Sequence, residues 1–252
     1  MIISASRRTD LPAFYADWLV KRFQEGYALV RNPMNYHQVS KILLTPEKVD
    51  GIVFWTKNPM PLLPHLHAFD AYPFYFQYTL TSYGKEMEPG IPEKGRKGIA
   101  AFRQLSEQVG KERVIWRYDP ILLSQRYSPE YHIRYFEQIA RRLEGYTEKC
   151  IFSFLDLYPS IQKRMDESGV LPMEQEQMQK LAGRMAEIAS AYHLKLETCA
   201  EPVQLSEFGI GQGSCIDAAL LSRIAGKPIQ AKKDKNQRAE CGCAASVDIG
   251  AY

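Results

Sequence analysis

Six short apolar runs recur along the chain, and amphipathic stretches of helical period separate most of them. No other feature of the sequence restricts the fold as much. The runs are "MIISAS" (1–6), "GIVFWTK" (51–57), "YPFYFQYTLT" (72–81), "RVIWRY" (113–118), "KCIFSFLDLY" (149–158) and "LKLETC" (194–199). Their apolar residues are nearly continuous, as in strands covered on both faces. Helical patterns fall at 12–26, 60–69, 93–109, 129–144, 174–192 and 215–226; the first and last end at Gly26 and Gly226. Strands that alternate with helices predict an α/β protein with a parallel sheet. About six βα units fit a TIM-like (β/α) barrel, partial or complete, and a doubly wound open sheet is the alternative. The stretch 28–44 reads as an inserted β-hairpin. Beyond Gly226 the periodicity fades. The expected layout is therefore a barrel domain over 1–226 and an irregular, cysteine-containing tail over 227–252 docked on it, with "KKDK" as solvated charge.

Composition narrows the class. The 252 residues carry a net charge of +3, and a pI near 8.5 is only mildly basic. Such a balance admits an anionic ligand and gives no strong signal for nucleic acid. No apolar run reaches membrane-span length, and "MIISASRRTDLP" lacks the layout of a signal peptide. A cytoplasmic protein with no membrane partner is the expectation. In a reducing compartment, five cysteines point to metal or catalytic work rather than to disulfides.

Polar residues cluster where the strands end. After the first strand come Ser6, Arg7, Arg8, Thr9 and Asp10, and after the second Thr56, Lys57 and Asn58. The later strands give Gln77, Tyr78, Thr79 and Thr81, then Arg117 and Asp119, then Ser153 and Asp156, then Glu197, Cys199 and Glu201. Ligands of parallel sheets bind at these carboxyl ends, and so many polar groups are costly to bury without a role. Lys57, Arg117, Asp119, Asp156 and Glu197 are the candidate catalytic residues. Arg7, Arg8 and Tyr78 are candidates for holding a cofactor, the arginines through bidentate pairing with a carboxylate or phosphate. Asp119-Pro120 and Asn58-Pro59 read equally well as turn starts. The Gly- and Pro-rich stretch 83–95 is a candidate lid, and "GIGQGSC" (209–215) is a weak anion-site signal. The five histidines lie away from the strand ends, so no serine–histidine–acid arrangement can be assigned.

Cys150 sits inside an apolar run and reads as a core thiol. The other four cysteines are spaced C-x15-C-x25-C-x-C: Cys199 ends the sixth strand, Cys215 opens the last helix, and Cys241 and Cys243 lie in the tail. One site made from all four would pin the tail to the mouth of the barrel. Four thiolates suit either zinc or an iron–sulfur cluster.

The motifs "SASRRTDLPAFY", "FWTKNP", "YTLT", "WRYDPI", "CID" and "CGCAASVDIGAY" together resemble the uncharacterised bacterial domain-of-unknown-function 1848 family, over the full length from Met1 to Tyr252. That family is described as carrying a C-terminal cysteine cluster similar to the N-terminal one of radical S-adenosylmethionine (SAM) enzymes. The resemblance implies a radical-SAM-like barrel with an iron–sulfur cluster and SAM as cofactors and a substrate of unidentified class. Members usually continue past "DIGAY" into a C-x-x-x-C-x-x-C stretch, which this sequence lacks. Either that stretch follows Tyr252 or the radical activity is absent, and the four cysteines are then an auxiliary or structural site. The alternative reading is a zinc-stapled barrel, either a hydrolase or lyase or a binding protein, for a small anion.

Overall fold

The computed structural model describes residues 1–250 apart from Pro92, Leu157 and Ala239, and leaves the side chains of Tyr36 and Ser160 undescribed; the last two residues of "DIGAY" lie outside it. In chain order the elements are β1 (Ile2–Ala5), α1 (Leu11–Phe14), α2 (Ala16–Glu25), the hairpin β2 (Tyr27–Asn32) and β3 (Asn35–Leu43), β4 (Gly51–Thr56), β5 (Phe74–Thr79), α3 (Ile99–Val109), β6 (Val114–Ile121) and β7 (Leu123–Ser124). There follow α4 (Pro129–Leu143), β8 (Lys149–Phe154), α5 (Pro159–Glu167), β9 (Val170–Leu171), α6 (Gln175–Ala191), β10 (Lys195–Thr198), β11 (Gly211–Gln212), α7 (Ala218–Ala225) and β12 (Val247–Asp248). Among the described residues no helix is long and apolar enough to cross a membrane.

The centre is one 8-stranded sheet in the order β11-β10-β8-β6-β5-β4-β1-β12. Every pairing in it is parallel. The six expected strands are its middle six. The two additions, β11 and β12, are two residues long, too short to show any period. β12 lies in the segment expected to be an irregular tail. Among the described residues no ladder joins β11 to β12, so the sheet is a mixed α/β arrangement whose closure into a barrel is not shown.

Strand alternation divides the core in two. Phe54, Phe76, Trp116 and Phe152 pack toward the helices, with Phe102 of α3, Phe136 of α4 and Leu181 of α6. Val53, Tyr75, Ile115 and Ile151 point to the other face, where Leu220 and Leu221 of α7 and the thiols of Cys215, Cys241 and Cys243 cover them. The second face is thus filled by α7 and the tail. Gly51 is required for this closeness: a Cβ there would stand 2.7 Å from a Leu221 methyl carbon. Gly250 is a second close approach, its would-be Cβ 2.1 Å from Ser6 Oγ.

Local chemistry sets the helix ends. Asp10 caps α1, accepting from Ala13 N–H at 3.0 Å, and Ser128 caps α4 ahead of Pro129. Asp217 caps α7, accepting from Leu220 N–H at 2.9 Å. The single helix expected over 12–26 is two helices, broken at Tyr15, whose φ of −136° is not helical. The stretch 60–69 forms a 3-10 helix over Leu63–Phe69. The stretch 93–109 opens with a π-helical turn, Lys94–Gly98, before α3. Helix α5 had no counterpart in the sequence reading.

Candidate functional site

A cavity of about 570 Å³ opens at the carboxyl ends of the strands. Its lining comes from β1's exit loop (Ser6 to Asp10), β4's exit (Trp55 to Lys57), Thr79, Arg117, Ser153 with Asp156 and Tyr158, Cys199 with Ala200, Cys215, and the tail residues Gln237, Arg238, Cys241 and Cys243. Of the candidate catalytic, cofactor-holding and metal-binding residues, it gathers Arg7, Arg8, Lys57, Arg117, Asp156 and all four cysteines of the spaced set. It leaves three aside.

Those three have clear places. Tyr78 shares the parity of Phe74 and Phe76, so it faces the helices, lies tilted against Phe102 (ring centroids 5.0 Å) and donates to the Gly98 carbonyl at 3.1 Å. Glu197 is buried two residues before Cys199. It pairs with Lys149 at 3.0 Å and Lys195 at 2.6 Å, and Lys149 also reaches Asp217 at 3.5 Å. This is a charge network at the start of α7 that reaches from buried Glu197 out to exposed Lys195. Asp119 does not line the cavity but holds Arg117 from behind.

The thiols form a connected row. Cys199 Sγ lies 3.1 Å from Cys215 Sγ. The main-chain N–H groups of Cys215 and Ile216 donate to Cys243 Sγ at 3.2 and 3.5 Å. Cys241 is buried beside Cys243. The Cys199 thiol donates toward Cys215 and favours its charged form, but the Cys243 contact and burial outweigh this and push Cys215 up to about 11. The same contact, seen from the other side, holds Cys243 below the ordinary thiol range against burial, with help from Ile216 N–H. Cys199, as the donor of the row and buried as well, is pushed up. These contacts favour the charged form at Cys243 and disfavour it at Cys215 and Cys199. Among the described residues no three His, Cys, Asp or Glu side chains already surround one point as metal ligands do. A tetrahedral site with metal–sulfur bonds near 2.3 Å would need sulfurs roughly 3.8 Å apart.

Arg117 is the cation of this wall. Its side chain is 5% exposed. Nε donates to Asp119 Oδ1 at 3.0 Å, Nη2 donates to Oδ2, and Nη1 donates to Cys215 Sγ at 2.8 Å. Its plane lies 5.2 Å from the Trp55 ring. Burial opposes the charge, but Asp119 and the sulfurs of Cys215 and Cys199 more than compensate and hold its pKa above the ordinary arginine value. Behind it, Tyr75 Oη and Gln77 Nε2 donate to the Cys215 carbonyl at 2.6 and 2.9 Å. The Trp55 indole N–H is buried without an acceptor.

The rim is polar and largely cationic. Asp10 accepts from Lys57 N–H at 2.7 Å and so ties the first two exit loops together; burial raises its pKa despite these hydrogen bonds. The Lys57 ammonium meets Glu88 of the 83–95 stretch, which Lys94 and Thr81 also contact. Burial works against the Glu88 carboxylate, but the two lysines outweigh it and keep it ionised. Arg7 reaches Asp234 at 3.8 Å, and Arg238 reaches Asp156 at 2.6 Å and Tyr158. Both pairs tie the tail across the mouth.

One anchor escaped the sequence reading. Asp248 accepts from Ser6 Oγ at 2.5 Å, Arg7 N–H at 2.9 Å, Gly250 N–H at 3.0 Å and Ser4 Oγ at 3.2 Å. It fixes the loop that carries Arg7 and Arg8 to β12. The only sign in sequence is the short apolar–polar–apolar run "VDI".

The model of the family described as Domain of unknown function (DUF1848) matches residues 2–252. The chain belongs to the DUF1848 family. No curated protein matches it. Among solved structures, a chain described as a "putative alpha-L-fucosidase" from Bacteroides thetaiotaomicron VPI-5482 is similar at 11% identity, over 85% of this chain and 79% of that one, with a TM-score of 0.31. At that score the likeness carries no functional argument.

Proposed function

We propose that this DUF1848 protein binds an iron–sulfur cluster through Cys199, Cys215, Cys241 and Cys243 and acts on a small anionic ligand held in the adjoining cavity. The observation that carries the reading is the gathering of four thiols, from a strand end, the start of a helix and the tail, on one side of one cavity. The donor set fits such a group in three ways. Thiols are the natural ligands of iron–sulfur clusters and zinc. Main-chain N–H groups already point at Cys243 Sγ. The Trp55 indole N–H, from the same cavity wall, is a buried donor left without an acceptor. Forming the site requires the sulfurs to spread from their present row. A structural zinc is normally enclosed by its ligands, whereas these thiols face a cavity, which favours a group that meets a ligand.

When bound, a cluster supplies one-electron transfer. The chain's own residues do the rest. Arg7, Arg8, Lys57 and Arg238 draw in and orient an anion, Asp156 and Ser153 accept or donate at its polar groups, and the tail excludes water. The finer reading, a radical-SAM-like enzyme with SAM as a cofactor, draws on the family resemblance. A TIM-like barrel over 1–226 with a docked tail goes with it; the all-parallel strand order supports the barrel, and the tail docks by adding β12 beside β1. A cytoplasmic location fits the five free thiols.

The test is anaerobic purification followed by reconstitution with iron and sulfide, or with zinc, and by metal analysis and a visible spectrum. A brown, iron- and sulfide-containing protein that becomes colourless in the Cys241→Ser, Cys243→Ser variant is the expected result. A colourless protein with one zinc overturns the cluster, and a protein that takes up neither overturns the site.

A further inference from the structure

We infer that Arg117 is the built-in counter-charge of the thiolate site and that Asp119 sets how much of that charge the site receives. The inference rests on the reading of the four cysteines as ligands. Four thiolates around a divalent zinc leave a net charge of about −2, and a cluster held by four thiolates is likewise negative. Charge of that size beside a protein core is expensive unless a cation meets it.

The cations nearby are mostly committed elsewhere. Lys149 and Lys195 are balanced by Glu197 and Asp217. Lys57 is held by Glu88, Arg238 by Asp156 and Arg7 by Asp234. Among the described residues, Arg117 is the cation with a hydrogen bond to one of the four sulfurs, 2.8 Å from Cys215 Sγ. Its geometry is fixed on the other sides: Asp119 takes Nε and Nη2, the Trp55 ring covers the guanidinium face, and Gln77 Oε1 lies 3.4 Å from Nη1. Held this way, the guanidinium keeps an Nη1 N–H aimed at sulfur. Asp119 plays a double part. It makes burial of the guanidinium affordable and, being negative, withdraws part of its field from the thiolates. Arg117 is therefore a positioning and charge-setting residue, not one that touches substrate.

Opposite signs separate this role from simple structural support. The experiment compares wild type with Arg117→Gln, Arg117→Lys and Asp119→Asn after anaerobic reconstitution. For a cluster the readout is its midpoint potential by redox titration; for zinc it is affinity by chelator competition. Arg117→Gln is expected to lower the potential by about 59 mV or more, a tenfold change for one electron, or to weaken zinc at least tenfold. Asp119→Asn is expected to move the same quantity in the opposite direction, and Arg117→Lys to stay close to wild type. If Arg117→Gln does not fold, Arg117→Lys and Asp119→Asn decide the matter. Equal values in all variants, or shifts of one sign in both Arg117→Gln and Asp119→Asn, overturn the inference while leaving the metal site standing. A wild type that takes up neither metal overturns both.

Discussion

Glu201 makes the folded protein respond to pH in a direction opposite to that of most carboxylates. It is 5% exposed, and Oε1 accepts from Phe154 N–H at 2.8 Å, which ties the end of β8 to the segment after β10. Burial raises its pKa from 4.5 to about 7, with Asp156 adding to the effect and the Phe154 hydrogen bond opposing it. Between those two values the folded chain keeps a proton that the unfolded chain has lost. Stability from this group is therefore fully present below about pH 4.5 and is lost as pH rises through about 7. The size follows from roughly 2.5 pKa units at about 1.4 kcal/mol each, or ~3 kcal/mol. Glu201→Gln keeps an acceptor for Phe154 and cannot ionise. In urea denaturation at pH 4.5, 6, 7 and 8, the variant should gain about 3 kcal/mol on wild type across the series, with most of the change between pH 5 and 7.5. Titrating groups that do not interact with Glu201 cancel in the comparison. A constant difference between the two proteins would refute the argument.

Three further outcomes follow from the packing. Asp248→Ala strands four donors at once and should cost about 3 kcal/mol, with the loop carrying Arg7 and Arg8 losing amide-exchange protection together with Val247. Gly51→Ala drives a methyl into Leu221 and should lower stability by about 1–3 kcal/mol in chemical denaturation. Cys150 is wholly buried among Trp116, Phe152 and the helix-side core. Cys150→Ser should therefore cost about 1–3 kcal/mol by placing a hydroxyl there, yet leave metal content unchanged.

Much of the fold was legible because its strands are covered on both faces and read as continuous apolar runs. β1, β4, β5, β8 and β10 fall inside their expected spans for that reason, and β6 runs on past 118 to Ile121. β11 and β12 were not, since Gly211–Gln212 and Val247–Asp248 are too short to carry a period and owe their pairing to the neighbours they meet. At the site, the rule that polar residues gather at strand ends found Arg7, Arg8, Lys57, Arg117 and Asp156. It misplaced Tyr78 and Glu197 for different reasons. Tyr78 has the parity of Phe74 and Phe76, so alternation within "FYFQYT" already assigns it to the helix side. Glu197 has the parity of Cys199 but lies one step deeper, where Lys149 and Lys195 claim it, and no sequence pattern announces that depth. The sequence suggests that Cys199, Cys215, Cys241 and Cys243 meet, but how they do so, with α7 and the tail folding back over the sheet, no local pattern encodes.

The central claim is that these four sulfurs hold one metal centre. X-ray absorption fine structure on the anaerobically loaded protein reads the metal's sulfur shell, cysteine sulfur together with the inorganic sulfide of a cluster. The account predicts a first shell of four sulfurs at about 2.3 Å, reduced in the Cys241→Ser, Cys243→Ser variant and intact in Cys150→Ser. A shell of nitrogen and oxygen, or a sulfur shell that the paired substitution leaves unchanged, would contradict it.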